Sequence, residues 1–263
     1  MATLLCVHAH PDDEALWTGG LLARHTAHGW PAAVVTCAAD LVGPRVGELA
    51  ESLAVLGAGP PRLLGFGDSG RRPPFAPASL CAADLDEVVL RLVAHIRVVR
   101  PDIVVTYDAY GTYGHPDHVR THRATVAAIE AAAHPAVAPQ AGAPWQVSSL
   151  YLATWPRPAV LRAVSWLRRH GAEMPADDAA MGVPPETIDV AVDVRPWLDT
   201  KWRALCAHRS EFARGDGPAR LNRVPPRLRE LALGTEWFIR RDLRPPGHGL
   251  LSSPAPARLV RSG

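Results

Sequence analysis

Leu4-Leu5-Cys6-Val7 runs directly into His8-Ala9-His10-Pro11-Asp12-Asp13-Glu14, and this junction decides how the chain is read. A short run without a polar residue is the pattern of a central parallel strand covered by helices on both faces. Two histidines and three carboxylates in the next seven residues would build a poor core, so they read as chemistry placed at the strand's carboxyl end. Pro11 suits the first turn of a helix, and Asp12, Asp13 and Glu14 suit the positive end of its dipole. The helix continues through Leu16, Leu21, Leu22 and His25 to Gly29.

Outward from there, strand and helix signals alternate. Pro31–Cys37 reads as a second buried strand, Val46–Leu56 as a helix ended by Gly57, and Pro61–Phe66 as a third strand. A Gly/Pro-rich loop covers residues 67 to 79. Asp84–Val99 carries Leu85, Val88, Val89, Leu92, Val93 and Ile96 at helical spacing. Pro101–Tyr107 reads as a fourth strand, and a helix runs from Pro116 to about Ala133. Val147–Thr154 reads as a fifth strand, Pro156–Gly171 as an amphipathic helix, Ile188–Val194 as a half-exposed edge strand, and Trp197–Phe212 as one helix. This order predicts an α/β fold, a Rossmann-like three-layer α/β/α arrangement around a mostly parallel sheet. Strands one and four are expected to be neighbours, with ligands at their carboxyl ends.

The 263 residues, 48% hydrophobic and 21% charged, match ordinary soluble globular proteins. One domain is expected over residues 1–245, its first 135 residues holding the metal site and residues 136–245 the substrate rim, with 246–263 a loosely tied tail. A net charge of +2 is too small to call for nucleic acid as a partner. No run reaches the roughly 18 apolar residues of a membrane span and no signal peptide opens the chain, so the expected location is cytoplasmic and membrane association is not expected. For the helix after Pro156, packing on the core is the first reading; a lid or a membrane-facing surface is the alternative. Cys6, Cys37, Cys81 and Cys206 form no C-x-x-C pair and read as reduced thiols.

Asp108-Ala-Tyr-Gly-Thr-Tyr-Gly-His-Pro-Asp-His118 is a second polar concentration, and His115-Pro-Asp-His echoes His10-Pro-Asp-Asp. His10 and Asp13, with one nitrogen from the second segment, would form a two-histidine, one-carboxylate face on a metal. Asp12, beside the metal but not on it, would then take a proton from water, which is metal-assisted hydrolysis. Ligand types leave Zn2+ and Fe2+ open, and spacing leaves the third ligand among His115, His118 and His122.

At these residues the chain resembles the PIG-L/LmbE-like family of zinc-dependent N-acetylglucosaminide de-N-acetylases. The resemblance rests on Ala9–Glu14 followed by Leu16 and Gly19-Gly20, on Pro101-Asp102 before Tyr107-Asp108, and on Gly114–His118. It implies His10, Asp13 and His118 as zinc ligands and Asp12 as general base. It also implies His115, held by Asp117, beside the oxyanion, Tyr113 as a mobile residue that polarises the amide carbonyl, and Arg45 as a sugar contact. The implied substrate is a small GlcNAc-bearing molecule, either an antibiotic glycoside of glycopeptide or aminoglycoside type or the GlcNAc-inositol precursor of mycothiol. The short stretch between Cys37 and Arg45 would leave room for a bulkier aglycone at that rim.

Competing readings accompany each residue. The His-Pro-Asp segments could be capped helix starts, and Arg45 a solvated helix-start residue. His8 reads as a core or supporting histidine, His122 as a solvated helix residue, and Glu14 as a residue that caps or orients. Trp17, Trp155 and Trp166 read first as core or rim packing; Trp17 is also the candidate substrate contact. Rival functions are an amidase of a thiol S-conjugate and a non-catalytic sugar-binding module.

Overall fold

The computed structural model describes residues 1–39, 41–169, 180–215, 221 and 224–244. Strand β1 (Leu4–His8) is buried along its whole length. Its side chains alternate: Leu5 and Val7 enter one hydrophobic core, Leu4 and Cys6 the other. That two-residue period makes β1 the middle of three layers.

Helix α1 (Asp13–Ala27), β2 (Ala32–Ala38), α2 (Arg45–Leu56), β3 (Arg62–Phe66), α3 (Leu85–Val99) and β4 (Ile103–Tyr107) follow. A single turn, α4 (Gly111–Gly114), leads to α5 (Pro116–Ala133), β5 (Ser149–Thr154) and α6 (Arg157–Arg169). The remaining elements are β6 (Val190–Asp193), α7 (Leu198–Ala207), α8 (Arg209–Arg214), α9 (Pro226–Leu233) and β7 (Thr235–Asp242).

The seven strands lie in the order β3-β2-β1-β4-β5-β7-β6. Pairings from β3 through β5 are parallel, while β7 runs antiparallel to both β5 and β6. Helices α3 and α5 cover one face, and α1, α2 and α7 cover the other. The chain leaves β1 toward β2 and leaves β4 toward β5, so the direction of winding reverses between these two neighbours. A crevice opens at such a reversal, and both His-Pro-Asp segments begin there.

Gly19 and Gly20 let α1 pass close to its neighbours. A Cβ on Gly20 would sit 2.3 Å from Val194 Cβ, and one on Gly19 would sit 3.1 Å from Lys201 Cγ. Lys201 is buried and donates to Glu236 Oε1 at 2.7 Å, and the Glu236 carboxylate also accepts the Gly20 and Leu21 backbone N–H groups.

Two boundaries differ from expectation. Pro11 precedes α1 rather than entering its first turn, because Asp12 takes a left-handed conformation (φ 113°) and turns the chain before the helix begins. The helix expected over Trp197–Phe212 is two helices, broken at His208 (ψ 61°). Beyond α9, Thr235 onward forms β7 because it pairs with both β5 and β6. Val190–Asp193 does form the sheet edge. The four cysteines are free. Among the described residues, no helix is long and apolar enough to cross a membrane. The expected tail 246–263 and the end of the Pro156–Gly171 helix lie outside the described residues.

Candidate metal centre and active site

The carboxyl end of β1 delivers His10, and the Asp12 corner then points two successive carboxylates in different directions. The Asp13 carboxylate is 4% exposed as a residue and is fixed from several sides. Its Oδ2 accepts from the Tyr107 hydroxyl at 2.7 Å and the His10 N–H at 2.9 Å; its Oδ1 accepts from Trp17 Nε1 at 3.1 Å. Tyr107, the last residue of β4, also takes the Ala9 N–H at 2.7 Å, which ties the two strand ends together.

His115 ends its extended segment as the N-cap of α5, with Pro116 at the first helical position. This start brings His118 to the same crevice, its ring stacked on Tyr107 at 4.1 Å. His118 Nε2 and His10 Nδ1 each lie 3.4 Å from Asp13 Oδ2. Both His118 nitrogens are buried without a hydrogen-bond partner. Leaving such atoms unpaired is costly, and an unpaired imidazole facing a carboxylate is what a cation would satisfy. Donor atoms of His10, His115 and His118 lie within 4.8 Å of one another, as do those of His10, Asp68 and Asp117. Nitrogen and carboxylate donors in this arrangement could hold a transition-metal ion.

Charge follows the same geometry. Burial opposes a charge on His10, yet Asp117, Asp13 and Asp68 hold its imidazole well above the ordinary value. Burial likewise opposes a charge on Asp13, but His118 and His10 keep the carboxyl well below it. The protein thus gathers positive charge at the place where a metal cation would supply it, and a metal would displace that proton.

Asp12 stands beside this cluster with its side chain 14% exposed. Burial and then the Asp13 charge push its carboxyl up to about 8, against Arg45 and His208. Arg45 donates to the Pro11 carbonyl at 2.7 Å and lies 3.9 Å from Asp12 Oδ2, so it is not a solvated helix-start residue. Tyr113 lies half-buried, packed with Trp17 and Trp155 and against Val160, Val164 and Met181. Burial, reinforced by Asp13, raises its hydroxyl above the ordinary tyrosine value. The Thr112 corner (φ 65°) that presents it is held by Asp108, which accepts the Tyr110 and Thr112 N–H groups and the Thr154 hydroxyl.

Asp117 holds a different histidine from the one expected. Its carboxylate accepts from His10 Nε2–H at 3.0 Å and from the Ser69 N–H at 2.9 Å, and Cys81 Sγ lies 3.1 Å away. Only its backbone N–H reaches His115 Nδ1, at 3.2 Å. His122 is buried rather than solvated, with Nδ1 2.8 Å from the Tyr107 carbonyl. Trp17 is 4% exposed and spends its N–H on Asp13, so it packs beside that carboxylate and orients it. His8 is a buried core histidine whose Nε2 lies 2.9 Å from Thr18 Oγ1 while its Nδ1 has no hydrogen-bond partner, and burial lowers it to about 4.

Two participants escaped the sequence reading. Asp68, at the carboxyl end of β3, approaches His10 Nε2 at 3.6 Å; its only signal was a polar loop following a strand. His208 sits 2.7 Å from Glu14 across 194 residues, and nothing in its local sequence marks it.

Comparison with known proteins agrees with this geometry. A sequence profile of the PIG-L family, described as GlcNAc-PI de-N-acetylase, matches residues 5–129. A 1D-myo-inositol 2-acetamido-2-deoxy-alpha-D-glucopyranoside deacetylase of Rhodococcus opacus (strain B4) is 41% identical, covering 92% of this chain and 87% of that protein. One of Geodermatophilus obscurus is 37% identical over 89% of this chain and 90% of its own length. Among solved structures, the N,N'-diacetylchitobiose deacetylase from Pyrococcus horikoshii superposes with a TM-score of 0.65 at 19% identity, covering 92% of this chain and 84% of that one. A conserved protein from Thermus thermophilus gives 0.62 at 24% identity, covering 97% and 100%. The structural matches share the fold, and the sequence relatives cover about nine-tenths of the chain, well beyond both His-Pro-Asp segments: the chain belongs to the PIG-L family.

Proposed function

We propose that the protein is a zinc-dependent deacetylase that hydrolyses the N-acetyl group of a small GlcNAc glycoside, with a GlcNAc-inositol as the foremost substrate. The observation that carries this reading is Asp12, a carboxylate turned out of helix register beside the buried His10, Asp13 and His118 cluster. His10, Asp13 and His118 are the proposed ligands, and a zinc ion there would supply Lewis acidity to water and to the acetyl carbonyl.

Asp12, with its raised proton affinity, accepts the proton as water adds to the carbonyl carbon. Tyr113 and His115 donate to the developing oxyanion. Because His115 Nδ1 accepts the Asp117 N–H, its proton sits on Nε2, which makes it a neutral donor. Asp12 then returns its proton to the amine nitrogen as the C–N bond breaks, releasing acetic acid and the amine, which exchange the remaining proton to give acetate and an ammonium. Arg45 holds the Asp12 corner through the Pro11 carbonyl and faces the sugar.

The relatives named for the GlcNAc-inositol substrate cover the chain almost end to end, whereas glycopeptide deacetylases match only in fold, at 20% identity with a TM-score of 0.58 in one teicoplanin-pathway case. This weighs against the bulkier aglycone. Incubating zinc-loaded protein with a GlcNAc-inositol, a glycopeptide GlcNAc conjugate and a thiol S-conjugate separates the readings. Acetate from the first alone is expected; no acetate from any N-acetylglucosaminide would remove the deacetylase assignment.

A further inference from the structure

The break between α7 and α8 sends four consecutive residues onto the catalytic edge of α1 and α2. His208 Nε2 bonds Glu14 Oε1 at 2.7 Å, Arg209 pairs with Glu51, Ser210 bonds Glu48 through both its N–H and its hydroxyl, and Glu211 lies 3.4 Å from Arg45 Nε. Of these, His208 reaches closest to the chemistry. Glu14 takes His208 and the Ser52 hydroxyl (2.5 Å) on Oε1, and with Oε2 accepts the backbone N–H of Asp12 at 2.9 Å. His208 and Glu14 are both fully buried.

Asp12 needs such a hold. Its left-handed backbone is a conformation that a non-glycine residue keeps only when its surroundings over-determine it. Its side chain makes no capping bond to α1. Its N–H is fixed instead by Glu14 Oε2, while His208 and Ser52 hold the other oxygen of the same carboxylate.

We infer that His208 is a positioning residue for catalysis: acting through Glu14, it locks the Asp12 corner in the orientation from which the carboxylate reaches water. The inference rests on the deacetylase reading for its kinetic consequence, though not for its structural one. It also assigns a purpose to the broken helix, because an unbroken helix through residue 208 would not present these four side chains in succession to α1 and α2.

Wild type is compared with His208→Ala, His208→Gln and Arg209→Ala, measuring metal content, thermal unfolding, kcat and KM. Loss of the hold displaces a reacting group, so His208→Ala is expected to lower kcat about 10- to 100-fold with KM nearly unchanged and full metal content. His208→Gln, which keeps a donor toward Glu14, should recover most of the rate. Arg209→Ala, which loosens the same corner through the exposed Glu51 pair alone, should keep the wild-type rate. Should His208→Ala not fold, His208→Leu carries the same expectation. A crystal structure of the donorless variant should show Asp12 departed from its positive φ. Wild-type turnover in that variant, an equal loss in Arg209→Ala, or Asp12 unmoved in the crystal would each overturn the inference. Failure of wild type to release acetate counts instead against the deacetylase reading, and the Asp12 geometry then decides the inference alone.

Discussion

The Asp117 carboxylate accepts from His10 Nε2–H at 3.0 Å, joining the two His-Pro-Asp segments across 107 residues. The bond fixes the His10 ring so that Nδ1 faces Asp13, and it raises the basicity of that nitrogen, as carboxylate partners of metal-bound histidines do.

Asp117→Asn should therefore weaken zinc binding by about 10- to 100-fold, measured by competition with a chromogenic chelator. Unchanged affinity would show that His10 is oriented by its packing alone.

Asp12→Asn removes the proton acceptor while leaving the proposed ligands in place. Acetate release should fall about 10²- to 10⁴-fold, with zinc content equal to wild type. Zinc loss in this variant would instead place Asp12 among the ligands.

Because both His118 nitrogens are buried without a hydrogen bond, a metal should stabilise the folded state strongly. With free zinc at 100 times its dissociation constant, unfolding should become harder by about 2.7 kcal/mol. Chelation should reverse the gain and His118→Ala should abolish it, both readable by calorimetry.

Lys201 and Glu236 form a buried ion pair that also anchors Gly20 and Leu21 of α1. Removing one partner strands the other charge, so Lys201→Ala should cost about 3–5 kcal/mol in chemical denaturation. A cost below about 1 kcal/mol would be that of an exposed pair.

The His208 imidazole gives a pH signature. Burial lowers its proton affinity, but Glu14 more than compensates, so its pKa stands above the ordinary 6.5. The folded state then binds the proton more tightly than the unfolded chain. The resulting stability is fully present below about pH 6.5 and fades as pH rises through the raised value. The stability difference between wild type and His208→Gln should shrink across that window; a constant difference would mean that His208 does not change charge there.

How much was legible follows from the range of each interaction. The β-α order and both polar segments could be read locally, because strand burial and helix starts leave their marks within a few residues. The partner of Asp117 could not. The family resemblance implied His115, two residues away, whereas β1 and β4 being neighbours places His10 at the same carboxylate. His122, similarly, is drawn into the interior by the Tyr107 carbonyl rather than by any apolar pattern of its own.

By itself the sequence determined the alternating α/β fold, the crevice at the ends of strands one and four, and the two His-Pro-Asp segments as the residues gathered there, with the choice among His115, His118 and His122 left to the family resemblance. It did so because a fully apolar strand must lie inside, and a concentrated polar segment at its end then has one place to go. Tertiary structure alone decided that Asp117 serves His10, that Trp17 and Tyr107 fix Asp13, and that His208 reaches Glu14 from the far end of the chain. Those contacts depend on strand order and on a helix broken at one residue, and neither leaves a local trace for hydrophobic periodicity to reveal.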